Sequence, residues 1–521
     1  MRDLFQIASV FVFMTLIAVP LSFAGEWGDE IVLPEGNAES EYATCCADIL
    51  GNLHIAWQDL REGSPFPIPQ VYYKRSTDAG QTWTSDERIT ADPATSMEPV
   101  ICADYMGGVH IVWKDTRDGD YELYHKRSLD GGTTWEGDAR ISDDSDTSRD
   151  HFVYVDYQND LHCVYLVRLL SGVRELHYTR STDRGMSWHA PVRIGDSIDH
   201  DAPVLSSDFN NNLVMAYPHV DGSEFSIFSR ISTDGGATWS AEQLITDSSY
   251  YQITPQLVCD MSGTFHLVYQ SLENSDAMLN YRRSTDGGAS WSGKVQITDS
   301  GALCSGPSLC NDYFGNLYLV WHDVRNGAGN YEIYYDYSTD GGMTWDNDLR
   351  ITDDAAMSEH PSVCVDFAGN LHLVFHDTRG GFDQVYYNNF YGVTLDPVFD
   401  IKCNGLDEAV TVNSGENCTL TIECNANSWA GQGCDMWVVV EDLGSGKYYS
   451  CGPYINPTWR LGPTRALFTG ALQDIPFATI LDQPVAAGSY IAHFAMDNRP
   501  NSVLNVPAIM FHDLVDFVVT Q

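Results

Sequence analysis

The octet "STDGGATW" constrains this chain more than any other feature, because close copies of it recur as "STDAGQTW", "SLDGGTTW", "STDRGMSW", "STDGGASW" and "STDGGMTW". The copies end at Trp83, Trp135, Trp188, Trp239, Trp291 and Trp345, in steps of 52, 53, 51, 52 and 54 residues. Within each period the order is the same: "EPVICAD", a Gly/Asn turn, "VHIVWKD", a charged loop, "YELYHKRS", the octet, and "ARIS". The segments around the octet alternate apolar and polar residues or form short β-branched and aromatic runs, which is strand chemistry. Each unit therefore reads as four short antiparallel strands, A to D. A unit of about 50 residues buries too little surface to be stable alone, so the units must pack on one another as propeller blades.

The blade number follows from counting. Strand pairs A and B begin near Tyr42, Glu98, His151, Ala202, Thr254, Pro307 and Pro361, which makes seven units for six octets. The seventh unit stops at Tyr391 without an octet or a D strand. The missing piece lies at the other end, where "EWGDEIVLPE" (Glu26 to Glu35) matches the "TWEGDARIS" that follows an octet elsewhere. An N-terminal strand that completes the last blade would close the ring and remove two exposed edges. The expected fold is all-β, with a seven-bladed propeller over residues 25–392 closed in this way.

The octets resemble the Asp-boxes, Ser-x-Asp-x-Gly-x-Thr-Trp, of the sialidase and BNR-repeat superfamily, over about residues 26 to 391. In such a turn Asp78, Asp130, Asp183, Asp234, Asp286 and Asp340 accept backbone and hydroxyl hydrogen bonds, while the following glycines take positive φ. The octets are thus scaffold. The resemblance also implies that ligands bind on the opposite face of the disc, where the B-to-C and D-to-A loops lie.

Those loops supply the candidate site. Four B-to-C loops carry Asp-x-Arg: Asp59 and Arg61, Asp115 and Arg117, Asp323 and Arg325, Asp377 and Arg379. These arginines are read either as a carboxylate-binding cluster or, preferably, as an ion pair repeated because the blade is repeated. Blades 3 to 5 lack the motif. They offer Arg168, Arg174, His200, His219 and Tyr250 as ligand-binding groups and Asp201, Tyr251 and Glu273 as the catalytic set of an acid-base or tyrosine-nucleophile mechanism. Family sialidases are six-bladed and use three arginines, a tyrosine with a glutamate, and an aspartate. This chain has no Phe-Arg-Ile-Pro segment and a different blade count.

Outside the repeat, Met1 to Ala24 has a lone Arg2, an apolar run and a small-x-small end, the pattern of a cleaved secretory signal. The protein is therefore expected to be exported, secreted or at the cell surface, with no membrane span in the mature chain. Seventy-two acidic against 28 basic residues give a net charge of -44, which excludes nucleic acid and anionic lipid as partners. No metal ligand set or cofactor is expected. Calcium is the one ion that the clusters Asp143/Asp144/Asp146, Asp346/Asp348 and Asp353/Asp354 would suit.

Cys46, Cys102, Cys310 and Cys364 recur at one repeat position and read as unpaired buried thiols. Cys403, Cys418, Cys424, Cys434 and Cys451 mark a strand-rich tail, 398–521, expected to be an immunoglobulin-like β-sandwich with up to two disulfides. Two functions fit these observations. One is a propeller that recognises a glycan or cell-surface protein without catalysis, and the other is an exo-α-sialidase-type hydrolase of acidic glycans.

Overall fold

The computed structural model describes residues 27–390, apart from 63–66, 92, 144–145, 196–201, 222–223, 247–249, 274–275, 299–302, 313–314, 326, 328, 346–347, 367–368 and the side chains of 220–224; from 398 onward it describes strands alone. The expected signal, Met1 to Ala24, lies outside the described residues, as do the side chains of the five tail cysteines. Among the described residues every regular element is a strand, and no helix is long and apolar enough to cross a membrane.

Seven four-stranded antiparallel sheets form the propeller. Blade 1 is typical, with strands Ser40–Ala47, Leu53–Asp59, Gln70–Ser76 and Glu87–Arg88 in spatial order. Strand B is buried along its whole length in blade 1, "LHIAWQD". It is covered on both faces, so it reads as a continuous apolar run broken only by groups that find partners. The outer strand is two exposed residues, too short to template further pairing.

The innermost strands, Ser40–Ala47, Ser96–Ala103, Thr147–Val155, Val204–Ser207, Tyr251–Cys259, Ser305–Asn311 and Ser358–Val365, each neighbour the next, and the last neighbours the first. One apolar core fills each of the seven seams between blades. In the seam between blades 7 and 1, Trp57 and Tyr72 pack on Val374, Val385 and Tyr387. Truncating a fully buried tryptophan such as Trp57, Trp113 or Trp321 would cost about 3–5 kcal/mol.

Closure is as the sequence predicts. Ile31 pairs with Tyr387 and Val32 with Tyr386, so the N-terminal strand is the outer strand of blade 7. Trp27 bridges to Phe390 and sets its ring 5.5 Å from Tyr335 of blade 6, at 79°. The Asp-box tryptophans make the same edge contact with the preceding blade, Trp135 on Tyr73 at 4.9 Å and Trp239 on Tyr178 at 5.1 Å. Trp27 therefore takes the place of the tryptophan that blade 7 lacks.

The tail strands form two sheets. Val398–Cys403, Asn417–Asn425 and Ile475–Pro484 make a three-stranded sheet, and the remaining strands make a seven-stranded one. The side chains of the expected sandwich core lie outside the described residues.

Candidate functional site at the upper channel mouth

The inner strands enclose a central channel of about 1330 Å³. Its two mouths are built from different positions of the same repeat. At the lower mouth, the turn after strand A is capped by an aspartate. Asp48 accepts the N–H groups of Leu50 and Asn52, each at 2.9 Å, and stands 3.4 Å from His54, whose other ring nitrogen is 2.7 Å from the Tyr73 hydroxyl. Asp156–His162–Tyr178 and Asp260–His266–Tyr281 repeat the relay, and Asp104–His110 ends on His125 instead. These histidines are fully buried, so the relays are internal ties and not reactive triads. The sequence reading missed them, although an aspartate six residues before a histidine recurs plainly.

The Asp-boxes lie on this lower face and behave as scaffold. Asp78 receives the Ser76 hydroxyl at 2.7 Å, the Thr82 N–H at 2.8 Å and the Thr82 hydroxyl at 2.5 Å. The same pattern holds at Asp130, Asp183, Asp234, Asp286 and Asp340. These hydrogen bonds hold Asp130 and Asp234 down to about 2. At Gly132, φ is +76° and an added Cβ would lie 1.9 Å from the Tyr73 hydroxyl, so only glycine fits.

The upper mouth is strained. Each inner strand has one residue in the left-handed region at the same repeat position: Tyr42 (φ 51°), Glu98 (51°), Asp150 (48°), Ala202 (26°), Thr254 (47°), Gly306 (57°) and His360 (50°). Proline follows five of them, which closes the right-handed helical basin to the residue before it. A bulge in the A–B pairing falls at this position in six blades. Only one of the seven is glycine. A left-handed non-glycine residue costs roughly 1–3 kcal/mol, and such strain gathers where side chains must be aimed.

Around blades 6, 7 and 1 the aimed side chains form one arc. His360 lies 5.5 Å from Tyr42, 5.5 Å from His322 and 4.9 Å from His376 between ring centroids. The His360 N–H donates to His322 Nδ1 at 3.2 Å, which leaves the His322 proton on Nε2. His376 is 9 % exposed in its side chain, its Nδ1 has no partner, and its Nε2 is 4.0 Å from Glu359. Burial, then the neighbouring imidazoles, pushes His322 down to about 3 and His376 down to about 4. Burial also lowers His360.

The carboxyls of the arc move the other way. Burial, then Asp383 and Glu39, pushes Glu41 up to about 7, and burial raises Glu359 and Asp383. One oxygen each from Glu39, Glu41 and Asp383 lies within 4.8 Å of the others. Gln58 ties this arc to blade 2, accepting the Glu98 N–H at 3.1 Å and donating to Glu41 at 3.5 Å. Glu98 itself pairs with Lys114 at 2.5 Å. Near neutral pH the arc offers uncharged imidazoles and a part-protonated Glu41, hence both acceptors and donors.

The residues singled out from sequence are placed differently. Arg61 is gripped by Asp59 at 2.6 Å and Asp86 at 2.8 Å and lies 4.3 Å over the Tyr72 ring. Arg117 is held by Asp115 and Asp138, Arg325 by Asp323 and Asp348, and Arg379 by Asp377, Asp354 and Glu30. Each guanidinium is folded back over its own blade, which is the ion-pair reading of the motif. Asp348 and Asp354, offered above as calcium ligands, are spent on these arginines, and Asp143 pairs with Arg140 at 2.9 Å.

In the arc of blades 3 to 5, His219 is buried against Glu242 at 2.9 Å. Arg168 is exposed at a strand end opposite Arg174. Tyr251 stands opposite Leu272 in the strand register, so its side chain and that of Glu273 leave opposite faces of the sheet. Its ring packs on Phe225, whereas Glu273 is held by Lys294 at 2.7 Å and Ser271 at 2.9 Å. Lys294 also lies 5.8 Å over Tyr250. His200 and Asp201 lie outside the described residues. The one sign of the upper arc in the sequence is the histidine before Asp323 and Asp377, in "WHD" and "FHD".

A family model described as a BNR repeat-like domain matches residues 219–389. No curated protein matches the chain in sequence. Solved structures similar to it include a PL25 ulvan lyase (12 % identity, 67 % of this chain and 94 % of that one, TM-score 0.47). A Hadza microbial sialidase (15 %, 66 % and 74 %, 0.39) and an α-L-arabinofuranosidase from Fusarium graminearum (14 %, 71 % and 99 %, 0.44) are others. At such identities a shared fold does not transfer a substrate. With seven four-stranded blades and a BNR repeat-like family model matching residues 219–389, this chain is a seven-bladed β-propeller whose later blades match a BNR repeat.

Proposed function

We propose that this protein is exported and binds a glycan at the upper mouth of its channel, on the face opposite the Asp-boxes, without cleaving it. The observation that carries this reading is the ring of left-handed residues, which sets Tyr42, Glu98, Asp150 and His360 along one opening at a cost in backbone strain. Tyr42 is 37 % exposed and offers a ring face for a pyranose, while carboxyls and neutral imidazoles suit sugar hydroxyls. The ligand class is uncharged or cationic. A sialate carboxylate needs free guanidinium groups, and the four repeated arginines are already paired.

One observation favours a hydrolytic second reading. Glu41, held near pH 7 beside Asp383, has the proton affinity of a general acid. It replaces Asp201, Tyr251 and Glu273 as the group to test. A glycan array with neutral and sialylated ligands, run on wild type and Tyr42→Ala, checks the binding reading. Neutral-glycan signal lost in Tyr42→Ala supports it, and equal signal from both proteins overturns it. Turnover of fluorogenic glycosides that disappears in Glu41→Gln would establish hydrolysis instead.

A further inference from the structure

Register parity separates the propeller cysteines. Cys46, Cys102, Cys310 and Cys364 each lie two residues before a turn-capping aspartate: Asp48, Asp104, Asp312 and Asp366. Side chains at this position face the following blade, as Cys102 does in the core between blades 2 and 3 and Cys310 in that between blades 6 and 7. Cys45 is one residue out of step, so it faces backward. It packs in the core between blades 7 and 1, with Sγ 3.4 Å from the Ser362 carbonyl and 3.6 Å from the His372 carbonyl. Ser362 is two residues from Cys364 on the same face, and His372 is the cross-strand partner of Cys364. The two thiols therefore meet across the seam. Contact with Cys45, ahead of burial, is the largest cause of the raised Cys364 thiol.

We propose that Cys45 and Cys364 are a disulfide site that staples the first blade to the last. The seam is the one where a staple matters most. Although an apolar core fills this seam, the strand that closes the ring comes from the other end of the chain, and its ladder to blade 7 is the short pair Ile31–Val32, both exposed. If that strand frays, the ring opens. In forming the bond, the two thiols lose two protons and two electrons as the S–S bond is made. A small-molecule disulfide such as glutathione disulfide accepts them, its own S–S bond breaks, and two thiols are released. Cys364 is buried, so the exchange takes place during folding, before the seam closes.

The full chain refolded with glutathione disulfide, then denatured, alkylated and digested without reductant, tests the proposal. The expected product is a cross-linked peptide pair containing Cys45 and Cys364 that separates on reduction. It persists in Cys46→Ser and is absent from Cys364→Ser. Cys102 and Cys163 share one core but interact only at longer range, so they serve as alkylated controls. The oxidised protein should melt about 5 °C above the reduced one, a difference that vanishes in Cys364→Ser. Full alkylation of both Cys45 and Cys364 in refolded wild type, a measurement that needs no variant to fold, would overturn it.

Discussion

The two mouths of the channel use the same residue types to opposite ends. At the lower mouth, His54, His162 and His266 each stand between an aspartate and a tyrosine, fully buried and paired on both ring nitrogens. At the upper mouth, His322, His360 and His376 lie against one another, and the nearest carboxylate to His376 is 4.0 Å away. A buried histidine with a carboxylate partner is a tie. His322 and His376, buried without one beside the exposed His360, are held uncharged and keep unsatisfied capacity, which a ligand can use.

Variants on either side can break or sharpen this contrast. The largest effect is expected at the lower mouth in Asp104→Ala, which leaves His110, Arg184 and the Gly108 N–H without their acceptor. Chemical denaturation should show a loss of about 3–5 kcal/mol. A stability change below 1 kcal/mol would mean that the relays are not ties. Next is Gly132→Ala, where backbone conformation and the Tyr73 hydroxyl both oppose a Cβ. A cost of about 2–3 kcal/mol is expected by the same assay.

The upper mouth should show itself in pH dependence. Glu41, raised from 4.5 to about 7, binds more protons folded than unfolded, so its contribution is present below pH 4.5 and is lost as pH rises through 7. His322 and His376, lowered from 6.5 to about 3 and 4, act oppositely, and stability is lost as pH falls from 6.5 toward those values. In Glu41→Gln the histidines act unopposed. Stability measured from pH 7 down to 4.5 should then fall by about 1 kcal/mol more than in wild type, a figure already reduced for solvent screening. Identical profiles would remove Glu41 from the arc.

The smallest effect expected is a gain. Tyr42→Gly relieves a left-handed tyrosine and should stabilise the fold by roughly 0.5–1 kcal/mol while abolishing glycan binding. A destabilised variant would show that ring contacts with His360 and His376 outweigh the strain.

Much of the scaffold was readable before any coordinates. The tryptophan spacing, the missing seventh octet and the match of Glu26 to Glu35 to a D strand were enough to predict the closure that Ile31, Val32 and Trp27 make. The Asp-x-Arg motif was readable too, since its partners Asp86, Asp138 and Asp348 each lie three residues after an octet tryptophan. The site was not. Loop divergence marks blades 3 to 5 instead, yet His219 and Glu273 there are engaged within their own blades. The relays were legible as a spacing and were overlooked.

The amino-acid sequence by itself determined the blade, its number and its closing strand, because those rest on contacts within one period or between identical periods. Tertiary structure alone decided the upper mouth, where ring closure sets Tyr42 of the first blade against His360 and His376 of the last. Residues at opposite ends of a repeat array have no sequence periodicity that announces their contact. Only the closed ring brings them together, and the left-handed backbone that aims them is visible only in its dihedral angles.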